Sequence, residues 1–301
     1  MSTNKTQEYT ITNGDYVVKF LNLGAVIIEY SYQGQNVVLS FEEQEAYLNN
    51  GSYIGAVVGR SAGRIKDAQI TDWKLPVNFN DKHNLHGNGF DIKYYEVQVN
   101  ANQAILTLHD KEGDFPGNAD IKIIYTLTNE GLEQEISATS DKPTIFNFTN
   151  HAYFNLDNQK SILDHKLQIP AQYVGELNED LISIGDLAVK DTAFDFNKLR
   201  VIREAYEQGH EQFKYSKFID HPFKLIGNVI LQSDSLQLEV QTDQDYAVVY
   251  AGNYVGDEVN NLKNEMNYDH SAICLETQKR PGDTELVTEY VSKTLYKLTS
   301  L

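Results

Sequence analysis

The chain of 301 residues is poor in cysteine, proline, arginine and long apolar runs. Cys274 is the only cysteine, so no internal disulfide can form. Five arginines (Arg60, Arg64, Arg200, Arg203, Arg280) are too few for a nucleic-acid-binding face, and 25 Lys+Arg against 43 Asp+Glu leave a formal charge of −18. That charge opposes encounter with phosphate backbones and with anionic membranes. No apolar stretch reaches the roughly 18 residues that a spanning helix needs. The longest runs, near Ala56–Gly59 and Ala247–Gly252, are strand-sized. Met1–Thr10 is polar and lacks the apolar segment of a secretory signal, so the expected location is the cytoplasm. No Pro/Ser/Gly-rich linker, internal repeat or strand–helix–strand rhythm divides the chain, so a single domain over residues 1–301 is expected.

What is present is alternation. The 41 % hydrophobic and 23 % charged content is that of a chain able to bury a sizeable core. Its periodicity is two. Leu236, Leu238 and Val240 alternate with Gln237, Glu239 and Gln241, and the same rhythm runs through Leu132–Ala138 with one break at Gln134. Such alternation marks strands with one buried face. Further strands are expected at 15–21, 25–32, 103–109, 120–127, 228–232 and 293–299, punctuated by Asn13-Gly14, Asn50-Gly51, Pro116-Gly117 and Pro281-Gly282. The 19 Tyr and 13 Phe suit pleated surfaces. One helix is expected over Ile202–Phe213, weakened by Gly209. The reading is all-β: antiparallel strands in packed sheets, with few short helices.

Four polar clusters interrupt or end these strands. In Thr144–Leu156, an extended chain would place Asn147, Thr149 and His151 on one face and Phe146 and Phe148 on the other. His151 there is either a hydrogen-bonded structural histidine or a proton carrier. In Ser271–Gln278, Ile273 and Leu275 would face the core and Cys274 and Glu276 the opposite side. A carboxylate so flanked is either exposed at an edge or lines a cleft, where its pKa can be tuned for general-base work. His83 and His86 have metal-ligand spacing, but no further ligand joins them convincingly. The glycines after His86 suggest a tight loop presenting its imidazole. Gly55–Ile65 carries Arg60 and Arg64 among glycines and lacks the Lys-Ser/Thr of a P-loop, which excludes a nucleotide reading. Its arginines are either solvated or offered to hydroxyls or a carboxylate.

Taken together and in this order, the quartet resembles the aldose 1-epimerase (galactose mutarotase) family. That family carries a Gly-Arg-x-x-Asn-Arg-Ile stretch, a Leu-His-Gly-Gly loop, a Thr-Asn-His-x-Tyr-Phe-Asn-Leu strand and a late Leu-Glu-Thr-Gln strand. Gly113–Gly117, Asp164–Leu167, Asp191–Phe196 and Ile219–Phe223 are similar to its connecting segments. The resemblance implies a large antiparallel β-sandwich of the galactose mutarotase type, no cofactor and no metal. It also implies an isomerase that interconverts the anomers of a free aldose of galactose or glucose type, with that small sugar as its partner. The expected assembly is a monomer or a homodimer. By motif, Glu276 corresponds to the general base and His151 to the general acid, while Arg64, His86 and Asp220 correspond to residues that hold the sugar. The chemistry suits them: ring opening needs one base and one acid, exchanging roles on closure.

Two other activities compete on the same scaffold. One is epimerisation of a hexose 6-phosphate, for which Arg64, Lys279 and Arg280 would have to supply a cationic pocket. The other is sugar binding without catalysis. The periphery departs from the family pattern. Gly63 stands where an asparagine is usual, Asn88 replaces the second glycine of the histidine loop, and Val248 stands where a glutamine is frequent. Lys279-Arg280-Pro281-Gly282-Asp283 replaces a Trp-Pro-Asp-Ala-x-Asn run. Loss of two amides beside the sugar is expected to weaken selectivity for galactose, with Gly63→Asn and Val248→Gln as the substitutions that would restore it.

Overall fold

Alternating side chains build two large antiparallel sheets in the computed structural model, which describes residues 5–301 apart from the Glu258 side chain. The long strand Leu132–Thr144 buries every second residue from Leu132 to Ala138 and pairs with Ala119–Leu127 on one side and Val287–Ser300 on the other. Continuing outward, a nine-stranded sheet runs in the order 96–100, 103–110, 119–127, 132–144, 287–300, 236–242, 229–232, 166–168, 200–201. A six-stranded sheet has the order 153–154, 273–278, 246–250, 220–225, 171–177, 183–188. A four-stranded sheet formed by residues 8–36 closes one end, where the Tyr16 and Tyr30 hydroxyls donate to the Leu298 and Tyr296 carbonyls.

The two large sheets share a hydrophobic core. Leu238, Ile136 and Tyr296 of the first join Phe223, Val249 and Leu275 of the second. Phe154 and Tyr296 bring ring centroids to 5.6 Å, and the Thr277 and Thr294 hydroxyls meet at 2.7 Å across the interface. The molecule is therefore an all-β sandwich. Its longest helix, Ile202–Gln208, has seven residues, and no helix among the described residues is long and apolar enough to cross a membrane.

The alternating segments form strands within one to three residues of their expected ends, except Leu132–Ala138, whose strand runs on to Thr144, and 293–299, whose strand begins at Val287. The expected helix to Phe213 stops at Gln208, because Gly209 takes φ +67° and its N–H caps the Ala205 carbonyl; helix resumes only at Phe213–Ser216. The expected continuous strand through Thr144–His151 is also broken. Regular pairing ends at Thr144, Thr149–Asn150 pairs instead with Val57–Val58, and Tyr153–Phe154 starts the edge of the six-stranded sheet.

The strand Ile273–Gln278 is buried along its whole length. Its core face carries Leu275, 1 % exposed, directly behind the neighbouring Glu276. Leu275→Ala should cost about 2–5 kcal/mol of stability through lost burial and a cavity. Chemical denaturation checks this; a loss within experimental error would contradict the packing described.

Candidate active site

Register places the other face of the same three strands around a cleft. Val248 lies opposite Glu276 and Pro222, while Tyr250 lies opposite Cys274 and Asp220. With a period of two, Asp220, Pro222, Val248, Tyr250 and Glu276 share one face, and all five line a cleft of about 780 Å³. The opposite wall comes from the segments around Tyr53, Arg64, His86 and His151. All five expected residues (Arg64, His86, His151, Asp220 and Glu276) meet there.

Backbone geometry fixes the histidine loop. Arg64–Ile65 pairs with Asn84–Leu85, the His86 N–H donates to the Gly63 carbonyl at 3.0 Å, and the Gly63 N–H donates to His86 Nδ1 at 3.2 Å. Gly87 follows with φ +72°, and a Cβ there would lie 2.1 Å from the Gly59 carbonyl oxygen. Only glycine permits that approach. Arg64 donates from Nη2 to Asp220 Oδ2 at 3.0 Å and stacks over Phe79, leaving its Nε buried without a hydrogen-bond partner.

His151 Nε2 and Glu276 Oε1 face each other at 3.6 Å. Both groups are buried, and Glu276 Oε2 has no hydrogen-bond partner. Burial pushes the Glu276 carboxyl well above its ordinary range; Asp220 adds to this and Arg64 opposes it. Burial also pushes His151 down to about 4. Burial thus raises the proton affinity of the carboxyl and lowers that of the imidazole, which lets the two groups exchange a proton. His151 Nδ1 lies 3.5 Å from the buried sulfur of Cys274, whose thiol burial keeps neutral. Tyr53 completes the wall, its ring 4.8 Å from His86 and 5.9 Å from His151.

Tyr53 carried no signal in the sequence: it sits in an irregular turn with φ +56°. Arg60 is neither solvated nor offered to a ligand. It is 0 % exposed, binds Asp110 at 2.8 Å, and donates to the carbonyls of Pro116 and Gly117, pinning the Gly113–Gly117 turn. Asn147 and Thr149 do not line the cleft with His151; Asn147 instead accepts the Lys279 N–H at 2.9 Å. Lys279 is also outside the cleft, whereas Lys66 lines it. Gly63 has no room for an asparagine: a Cβ would lie 2.7 Å from Pro281 Cβ. The expectation that Gly63→Asn restores a sugar contact is therefore wrong in this chain.

His83 does not join His86. Its Nδ1 accepts the Asp67 N–H at 2.9 Å, and its Nε2 lies 3.3 Å from Asp180. A different trio, His86, His151 and Glu276, brings ligand atoms within 4.8 Å of one another, the composition of some zinc sites. His86 does not fit that use. Burial holds its ring neutral, and Nδ1 accepts a backbone proton, so the remaining nitrogen carries the ring proton and is a donor, not a ligand.

A two-sheet sandwich with a buried histidine–carboxyl pair in a sheet-face cleft defines a class capable of proton-transfer chemistry on a small polar molecule. A sequence model described as aldose 1-epimerase matches residues 7–288. An aldose 1-epimerase of Haemophilus influenzae is 36 % identical over 78 % of this chain and 74 % of its own length. A galactose mutarotase of Rattus norvegicus is 35 % identical over 83 % and 77 %. A solved structure of a galactose 1-epimerase from Lactobacillus acidophilus superposes with a TM-score of 0.90 at 31 % identity, covering 100 % of this chain and 96 % of that one. The chain belongs to the aldose 1-epimerase family, a family of isomerases.

The donor character of His86 predicts that dialysis against a strong chelator leaves turnover unchanged. Loss of activity restored by one divalent ion would contradict that assignment.

Proposed function

We propose that the protein interconverts the α and β anomers of a free, uncharged aldose of galactose or glucose type, with Glu276 as general base and His151 as general acid. The observation that carries this reading is the 3.6 Å pairing of Glu276 Oε1 with His151 Nε2 inside the cleft. The anomeric hydroxyl and the ring oxygen share one carbon, so the groups that serve them must be neighbours. The opening step starts from the form in which the proton sits on His151: ionised Glu276 takes the proton from the anomeric hydroxyl while the imidazolium of His151 delivers its own to the ring oxygen. The C1–O5 bond breaks, its electron pair going to the protonating ring oxygen, and the hydroxyl electrons form the aldehyde. Rotation about C1–C2 presents the other carbonyl face. Closure reverses the transfers, with His151 as base and Glu276 as acid.

The pair suits this cycle, because opening and closure pass protons between the two groups and the sugar without changing their number. Sugar hydroxyls entering the cleft meet Glu276 Oε2, which has no hydrogen-bond partner of its own. His86 donates from its protonated nitrogen, and Arg64, oriented by Asp220, supplies planar donors; together they hold the ring in register with the pair.

Charge favours a neutral substrate. Arg64, Lys66 and Arg280 line the cleft, but so do Glu179, Asp220, Glu276 and Asp283, and two of the cations are already paired, Arg64 with Asp220 and Arg280 with Asp186. A phosphorylated hexose would meet no surplus of positive charge. A binding protein without catalysis would have no use for a carboxyl desolvated against an imidazole, which is costly to maintain.

Glu276→Gln and His151→Asn should each lower the mutarotation rate of freshly dissolved α-D-galactose or α-D-glucose by about 10²–10⁴-fold, with the fold intact. Polarimetry checks this. Two folded variants with near-wild-type rates would refute the assignment.

A further inference from the structure

The segment after Gln278 departs from the family pattern, and it is seated with unusual closeness. The Lys279 N–H donates to Asn147 Oδ1 at 2.9 Å, and the Asp283 N–H donates to the Arg280 carbonyl, closing a turn. Pro281 packs on Gly63, filling the volume that a side chain at residue 63 would take. Arg280 reaches the strand Ser183–Ala188, donating to Asp186 Oδ1 at 2.8 Å and to the Gly185 carbonyl at 3.4 Å. Arg280, Pro281, Gly282 and Asp283 all line the cleft, whereas Asp186 does not.

We infer that this turn is the specificity-determining wall of the cleft, with Arg280 and Asp283 reading hydroxyls at the sugar end remote from the reacting carbon. The inference rests on the aldose reading above. Three observations carry it. The strand places Gln278 roughly 7 Å of extended chain beyond Glu276, so the turn flanks the site at a distance from the proton-transfer pair. Pro281 removes position 63 as a source of polar contacts, and the turn supplies a donor and an acceptor in its place. Gly63 holds His86 through both of its backbone groups, so the fit of Pro281 on Gly63 also fixes where the ring-holding histidine sits. Residues 63 and 281 must therefore change together. The limiting atom is Pro281 Cβ, which alanine retains; glycine at 281 removes it, leaving the Cα of residue 281 in ordinary contact at 3.4 Å and the backbone strain of a side chain at φ +76°.

The test compares wild type, Arg280→Ala, Asp186→Ala, Gly63→Asn, Gly63→Asn/Pro281→Ala and Gly63→Asn/Pro281→Gly on galactose and glucose by polarimetry, with thermal unfolding to confirm folding. Arg280→Ala and Asp186→Ala should each change the galactose-to-glucose ratio of kcat/KM by about threefold or more, through KM, with kcat within about twofold. Gly63→Asn should lose about tenfold or more in kcat/KM by displacing His86; glycine at 281 should restore a substantial part of it, short of wild type because of the strain at φ +76°, and alanine should not. Folded Arg280→Ala and Asp186→Ala proteins with wild-type ratios overturn the wall, and equal rescue by alanine and glycine overturns the coupling. A wild type that accelerates neither sugar's mutarotation sinks the aldose reading and this inference with it, whereas an active wild type with unchanged ratios sinks this inference alone.

Discussion

Three adjacent strands, Asp220–Leu225, Tyr246–Tyr250 and Ile273–Gln278, divide their residues between two environments, and both the core and the cleft depend on that division. Phe223, Val249 and Leu275 close the sandwich against the long strands of the nine-stranded sheet. Their neighbours Pro222, Val248 and Glu276, with Asp220 on the same face, form the cleft floor. A register slip of one residue would bury the carboxyls in the core and expose the apolar set. The hydrophobic effect therefore positions Glu276: its neighbours' burial fixes which way it points.

Desolvation then gives the site its chemistry. A carboxyl at the surface would be fully ionised at neutral pH and a surface imidazole largely neutral, and the pair would hold no proton between them. Burial raises Glu276 and lowers His151, so that a proton can pass between them and neither group is locked in a charged state. The charges that remain are balanced locally. Asp220 neutralises Arg64, Asp186 neutralises Arg280, and the cleft presents hydrogen-bonding groups without a strong field, which fits a neutral polyol better than an anion.

The strand framework was legible because alternation is local: Leu236–Val240 and Leu132–Ala138 announce their buried faces without reference to any partner. Glu276 was legible in the same way, as a carboxylate flanked by core residues, and the resemblance in motif joined it to His151, Arg64, His86 and Asp220. What stayed hidden is non-local. Arg60 is consumed by Asp110 and the Gly113–Gly117 turn, contacts some fifty residues away that no spacing announces. Pro281 on Gly63 brings together residues more than 200 apart, and it reverses the meaning of the glycine: a missing amide becomes a required absence of side chain. Tyr53 reaches the histidines from a left-handed turn, and Asn147 turns from the cleft to hold the segment after Gln278.

The proposed chemistry depends on proton exchange within a buried pair, and the pH dependence of kcat/KM, which reports the free enzyme, reads it most directly. Protonation of His151 on top of Glu276 adds the second proton, and with His151 pushed down to about 4 this occurs only in acid. Glu276, pushed well up, gives up the last proton only far above the ordinary carboxylate range. Polarimetric kcat/KM should therefore fall on the acid side with an apparent pKa near 4. An acid limb at about 6.5, the value of an ordinary solvated imidazole, would contradict it.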